Sequence, residues 1–226
     1  MVRAALVVRH GDLVLSRVIP VNPANPREER VQESVAELRK GGVLAIPTET
    51  FYGLAADAEN AEAVARLNNL KGKDDRSPIL LLVADVEQAR AAAGEVPPRF
   101  EKLAAMFWPG PLTLVLPAGP RLPERIGGGT GTVGLRVPGL GLPRRLAGAL
   151  ERPITGISAN RSGQPASRTA AEVAQALPEG IDLILDGGPT PGGAPSTVLD
   201  LTREHPRLLR EGAVPLSALR RYLDDI

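Results

Sequence analysis

No unbroken apolar run in this 226-residue chain exceeds six residues, the length of Ile79 to Ala84. A helix that crosses a bilayer needs about 20 apolar residues, whereas a buried strand needs only about four to eight. The short runs also alternate with segments of a different period. Val31, Val35 and Leu38 fall at i, i+4 and i+7, which predicts a helix over 27–40 that Gly41 stops. GVLAIP, 42–47, then reads as a buried strand, and Val64, Leu67 and Leu70 predict a helix over 61–70. Strand-length runs interleaved with helical segments argue an α/β fold.

The same reading extends along the chain. Residues 3–9 and 12–18 predict two strands joined across His10-Gly11. Residues 79–84 predict the next strand, and Asp85 caps a helix that ends at Gly94. Pro97 to Trp108 reads as a helix stopped by Pro109-Gly110. Further strands are expected at 112–116, 132–137, 154–157, 181–185, 197–201 and 207–209, and helices at 142–150, 169–177 and 216–224. Strands this frequent, with short connections, predict a mixed parallel and antiparallel sheet. No stretch reads as an interdomain linker, so residues 1–226 are expected to form one domain.

Composition narrows the chemistry. The chain has no cysteine and two histidines, His10 and His205, which excludes thiolate chemistry, disulfides and His- or Cys-rich metal sites. Aromatic residues are 3%, too few for a row of base-stacking rings. The amino-terminal apolar run is cut by Arg9, His10 and Asp12, unlike a signal peptide, and a cytoplasmic location is expected. The formal net charge is +1, but its distribution is uneven. Residues 121–168 carry eight arginines against Glu124 and Glu151, and 169–201 carry five acids and no base. A local cationic stretch suits an anionic ligand such as a nucleotide or an RNA backbone; a solvated basic surface reads equally well from charge alone.

Several loops at strand ends carry polar groups. Pro47-Thr48-Glu49-Thr50-Phe51-Tyr52-Gly53-Leu54 follows a buried strand, where ligands of α/β sheets bind. Lys71-Gly72-Lys73 holds two of the four lysines, either as phosphate ligands or as cations complementing a helix end. In Thr132-Val133-Gly134-Leu135-Arg136-Val137-Pro138, alternation puts Thr132 and Arg136 on one face, available to an anion or facing solvent at a strand edge. Ser158-Ala159-Asn160-Arg161-Ser162-Gly163 offers a polar cradle for phosphate or ribose, or an ordinary turn. Ser196-Thr197-Val198-Leu199-Asp200 and Leu208-Leu209-Arg210-Glu211-Gly212 close the series.

Taken in order, PTETFYGL, KGK…SPI, WPGPLTLVL, TVGLRVP, SANRSG, STVLD and LLREG resemble the YrdC-like family, the threonylcarbamoyl-AMP synthases of tRNA t6A biosynthesis. The resemblance spans about 41–212 and is to the single-domain type. It implies an α/β fold with a twisted mixed sheet and flanking helices around a concave basic cleft. It also implies a nucleotidyltransferase that makes threonylcarbamoyl-AMP and pyrophosphate from L-threonine, bicarbonate and ATP. Mg²⁺ would come with the nucleotide, since no metal-ligand cluster is visible. The partners implied are tRNA or double-stranded RNA and a downstream threonylcarbamoyl transferase complex, with no membrane. By position, Thr50, Arg136, Gly156 and Ser196 match the family's threonine contacts. Lys73, Ser77, Thr132, Ser158, Asn160 and Arg210 match its ATP contacts, and Lys71 and Lys73 its catalytic pair. Three positions depart from the pattern: Lys73 stands where Arg is usual, Leu82 where part of the family has a threonine-contacting His, and Ala166 where many members have Ser. A paralogue that binds RNA or nucleotide without synthase activity is the alternative.

Overall fold

The structure, a computed structural model, describes residues 16–71 and 78–223. The strand expected at 3–9 and the hairpin across His10-Gly11 lie outside those residues, as do Lys73 and Ser77.

Among the described residues the strands are β1 Arg17–Pro20, β2 Leu44–Pro47, β3 Tyr52–Ala55, β4 Leu80–Leu82, β5 Leu112–Pro117, β6 Thr132–Arg136, β7 Ile154–Thr155, β8 Ile157–Ser158, β9 Leu183–Asp186, β10 Thr197–Asp200 and β11 Arg207–Arg210. The helices are α1 Glu28–Arg39, α2 Ala61–Lys71, α3 Val86–Ala92, α4 Pro98–Phe107, α5 Gly141–Leu150, α6 Ala170–Ala176 and α7 Leu216–Leu219. Two sheets form. One has the order β1-β9-β2-β3-β8 and the other β11-β10-β5-β6-β4-β7. Each mixes parallel pairs, such as β2 with β9 and β4 with β6, with antiparallel ones, such as β2 with β3 and β5 with β6. The expected mixed α/β architecture is therefore present, as two sheets.

Period-two alternation explains why β2 reads as a continuous apolar run. Val43 and Ala45 face a large core shared with Leu54, Leu81, Leu114 and Leu135. Leu44 and Ile46 face a second core, with Val31, Val35 and Leu38 of α1 and Leu142, Leu146 and Leu150 of α5. A strand covered on both faces needs apolar residues at every position. Leu38 and Leu146 are wholly buried, and truncating either to Ala should cost about 2–5 kcal/mol in urea unfolding.

Helix ends follow local chemistry. At the end of α1 the Gly41 N–H bonds to the Leu38 carbonyl and the Gly42 N–H to that of Glu37, both at 3.0 Å. Gly41 has φ of 79°, so this is the left-handed termination that a glycine permits. Asp85 caps α3 as expected, its carboxylate accepting from the Gln88 N–H at 2.8 Å.

Two expectations need correction. Residues 47–54 are not one loop: 48–51 form a tight turn and Tyr52–Ala55 form β3, paired antiparallel to β2. The strand expected at 154–157 is broken at Gly156. Its first half, β7, pairs with β4 in the second sheet, and its second half, β8, pairs with β3 in the first. A Cβ on residue 156 would lie 2.6 Å from the Leu82 Cγ, so the chain can pass Leu82 between the sheets only without a side chain.

Candidate active site

A cavity of about 630 Å³ lies between residues of both sheets. β3 and β8 contribute Tyr52, Gly53, Ile157 and Ser158, and β4 and β6 contribute Leu80, Leu82 and Arg136. The volume is that of a small-molecule site. Thr50, Lys71, Arg136, Gly156, Ser158, Asn160, Ser196 and Arg210 all line it, although they come from six separate stretches of chain.

One end is built on Arg136. It is the last residue of β6, an interior strand of its sheet, and is 4% exposed, so the solvent-facing edge reading does not hold. Its Nε donates to the Gly110 carbonyl at 3.1 Å, and its guanidinium forms an ion pair with Glu49. The Gly139 N–H donates to the same Glu49 oxygen at 2.8 Å. Burial pushes the Glu49 carboxyl up, but the Arg136 charge and the backbone N–H groups of Gly139 and Glu49 outweigh it and hold the group below its ordinary value. Thr50 stands beside it on the 48–51 turn, which the Thr48 hydroxyl closes by donating to the Phe51 carbonyl at 2.7 Å and accepting from the Thr50 N–H at 3.2 Å.

Arg210, on β11, approaches the same end. Its Nε and Nη2 donate to the Ser196 carbonyl at 3.1 and 2.9 Å. The Ser196 hydroxyl lies 3.0 Å from that of Thr113 in a buried pair. Burial, and after it the charge of Arg136, push the Arg210 guanidinium below its ordinary value. Two guanidiniums that repel each other across a cavity wall make a place for an anion.

The other end is built on Lys71. It is the last residue of α2 rather than a residue just beyond it. Its ammonium does not merely sit over the helix end. It reaches across to the Ser158 carbonyl at 2.7 Å and the Asn160 carbonyl at 2.8 Å, with their side-chain oxygens at 3.4 and 3.3 Å. The Asn160 amide donates to the carbonyls of Arg161 and Gln164 at 3.0 and 2.6 Å. The 158–164 segment is therefore a cross-braced cradle rather than an ordinary turn.

Other lining groups had a weaker sequence signal. Asn68 sits three residues before Lys71, on the same face of α2, and its side-chain oxygen accepts from Arg125 at 3.1 Å. Arg125 belongs to the cationic stretch but to none of the motifs. Among the described residues the lining carries Lys71, Arg125, Arg136 and Arg210 and no carboxylate. Tyr52 lines the cavity too, but its hydroxyl accepts from the Gly187 N–H at 3.1 Å and donates to the Gly188 carbonyl at 2.9 Å. Burial pushes its phenol up to about 12, which keeps it protonated. Thr132 is not in this cavity. It lines a neighbouring hollow of about 590 Å³ that shares Pro78, Ile79, Leu80 and Arg210 with it, because Thr132 and Arg136 occupy opposite ends of β6. Ala166 lines the cavity where a Ser was expected of many members. Ser167 does not replace it, since its hydroxyl is buried and donates to the Ala159 carbonyl at 2.7 Å.

A family model for the Sua5, YciO and YrdC proteins, described as telomere recombination, matches residues 36–212. The chain belongs to this family. The threonylcarbamoyl-AMP synthase of Pyrococcus abyssi is 41% identical over 199 residues, which are 88% of this chain and 58% of the relative. That of Bacillus subtilis is 39% identical over 188 residues, 83% of this chain and 54% of the relative. The chain thus spans little more than half the length of these two curated relatives. A crystal structure of P. abyssi Sua5 complexed with L-threonine superposes with a TM-score of 0.88 at 40% identity, covering 93% of this chain and 62% of that one. The Sua5/YciO/YrdC fold is accordingly the one that the two sheets build here. No helix among the described residues is long and apolar enough to cross a membrane.

Proposed function

We propose that this chain is a threonylcarbamoyl-AMP synthase. It would join L-threonine, bicarbonate and ATP into threonylcarbamoyl-AMP, releasing pyrophosphate and water. The observation that carries this reading is the opening of two unlike cationic ends, the buried Arg136 and the cradled Lys71, into one cavity. Support also comes from the names of the synthase relatives and from the threonine held by P. abyssi Sua5.

In this reading Arg136 holds the threonine carboxylate through two parallel hydrogen bonds. Thr50 and Ser196 supply hydroxyls, and Gly156 lets the amino acid approach the backbone. Lys71, Ser158, Asn160 and Arg210 hold the nucleotide, joined by Lys73 and Ser77, with Thr132 in the adjoining hollow. The carbamate oxygen formed on threonine attacks the α-phosphorus. A new P–O bond forms and the bond to pyrophosphate breaks. That step needs no side-chain nucleophile. It needs two anions held in line, and positive charge where the leaving group develops negative charge; Lys71 and Lys73 are the proposed source.

Among the described residues no three acidic or histidine side chains gather where they could hold a metal. Mg²⁺ would therefore enter on the triphosphate, where it screens phosphate charge. The product is a reactive mixed anhydride, so we place downstream of it a transferase complex acting on adenosine 37 of tRNA. We propose residues 1–226 as one domain with its motifs in about 41–212, a cytoplasmic setting, and contact with tRNA or double-stranded RNA.

The test is direct. The purified chain is given ATP, threonine and bicarbonate, and pyrophosphate and the adenylate mass are read. Release of pyrophosphate should require threonine and bicarbonate together. ATP cleavage that ignores either omission would reject the synthase reading in favour of a nucleotide-binding paralogue.

A further inference from the structure

We infer that Glu49 is a positioning residue for amino-acid binding, fixing Arg136 and Thr50 relative to each other from behind the cavity wall. The inference rests on the synthase reading, in which Arg136 and Thr50 contact threonine. Glu49 is adjacent to Thr50 in the 48–51 turn, and its carboxylate reaches the strand-end segment that carries Arg136. One oxygen is ion-paired with the Arg136 guanidinium and accepts from the Gly139 N–H. A single side chain thus ties the turn after β2 to the end of β6, two segments almost ninety residues apart in sequence.

Arg136 lines the cavity and Glu49 does not, so the role inferred for Glu49 runs through Arg136 and not through contact with substrate. The Arg136 Nε is held by the Gly110 carbonyl at 3.1 Å, and Glu49 fixes the far end of the same planar group. A guanidinium gripped at both ends presents its remaining N–H groups in one orientation, which a bidentate contact with a carboxylate requires.

Removing Glu49 has two effects of opposite sign. Lost charge makes the cavity more positive and draws anions in; lost reach lets Arg136 move and weakens a directed contact. Three variants separate them. Glu49→Gln keeps the reach and drops the charge. Glu49→Asp keeps the charge on a side chain one methylene shorter. Glu49→Ala drops both. Steady-state kinetics with L-threonine and ATP varied in turn are read well below each melting temperature. Partial unfolding lowers apparent kcat and leaves KM alone, so KM is the readout.

The expected result is a threonine KM raised by no more than about threefold in Glu49→Gln and roughly tenfold or more in Glu49→Asp and Glu49→Ala, with the ATP KM moving much less. Wild-type turnover that does not depend on threonine would sink the synthase reading itself. If the wild type does depend on threonine, three outcomes overturn the inference alone. These are a threonine KM unchanged in all variants, one lowered in Glu49→Ala, and Glu49→Asp outperforming Glu49→Gln.

Discussion

The two ends of the cavity hold a cation by different means. Arg136 is buried and balanced by a carboxylate, with a peptide carbonyl on its Nε. Lys71 is held by the neutral oxygens of Ser158 and Asn160 at a more open position. A guanidinium in a full ion pair is an orienting device, since much of its charge is already answered. An ammonium is a compact charge with three rotatable donors, and the Ser158 and Asn160 carbonyls fix where it stands without imposing a plane. The first arrangement suits recognition of a planar carboxylate and the second suits screening of phosphates, which is how the synthase reading divides them.

That contrast breaks most visibly at Lys71. Lys71→Ala should lower turnover by roughly a hundredfold or more, the size of losing one well-placed charge in the transition state, about 2.7–4 kcal/mol. Because Lys71 also braces the 158–160 cradle, the variant should lose about 1 kcal/mol of stability as well. Normal turnover with early melting would make this lysine purely structural. The next effect belongs to the other end. Arg136→Ala should weaken threonine binding roughly tenfold or more, by calorimetry, and ATP binding much less. Equal losses would erase the distinction between the two ends. Gly156→Ala sharpens the comparison by perturbing the wall between them. Its Cβ would meet Leu82 at 2.6 Å, so about 1–3 kcal/mol of stability should be lost. Leu82 is itself a buried core residue, so the comparison is a double-mutant cycle. Gly156→Ala should cost less stability in a Leu82→Ala chain than in the wild type, and equal costs would show that the clash is not what matters.

The smallest effect is one of slope. Glu49 titrates below its ordinary value of 4.5 when folded. Its contribution is therefore fully present above the unfolded value and lost as pH falls through the folded one. Urea midpoints followed from pH 6 down to pH 3 should fall more steeply for the wild type than for Glu49→Gln. Parallel curves would mean that the ion pair adds nothing to stability.

Local signals carried much of this molecule. The α1 stop at Gly41 and the Asp85 cap are written in neighbouring residues, and they appear where the sequence put them. β3 was missed because Tyr52–Ala55 lacks alternation. It is buried on both faces, and its pattern merges with the turn before it. The break at 156 did have a signal, a glycine inside a strand pattern, but which sheet each half would join depends on Leu82, far away in sequence. Motif order found most of the cavity lining. It could not show that Glu49 would be taken up by Arg136, that Asn68 and Arg125 would join the wall, or that Thr132 would face the adjoining hollow. Those are tertiary facts, fixed by how the sheets meet.

The stretch from Ile154 to Ser158 gives its first residues to one sheet and its last to the other. It acts as a stitch. Neither sheet can slide along its neighbour without dragging a peptide that is hydrogen-bonded to both, so the width of the slot is set by main chain. Side chains around it can then be exchanged without changing that gauge. A Leu in place of a His at 82, or an Ala in place of a Ser at 166, alters what the slot says to its contents while its dimensions stay put. Such a frame lets chemistry drift residue by residue with the spacing of the strands around the cavity preserved.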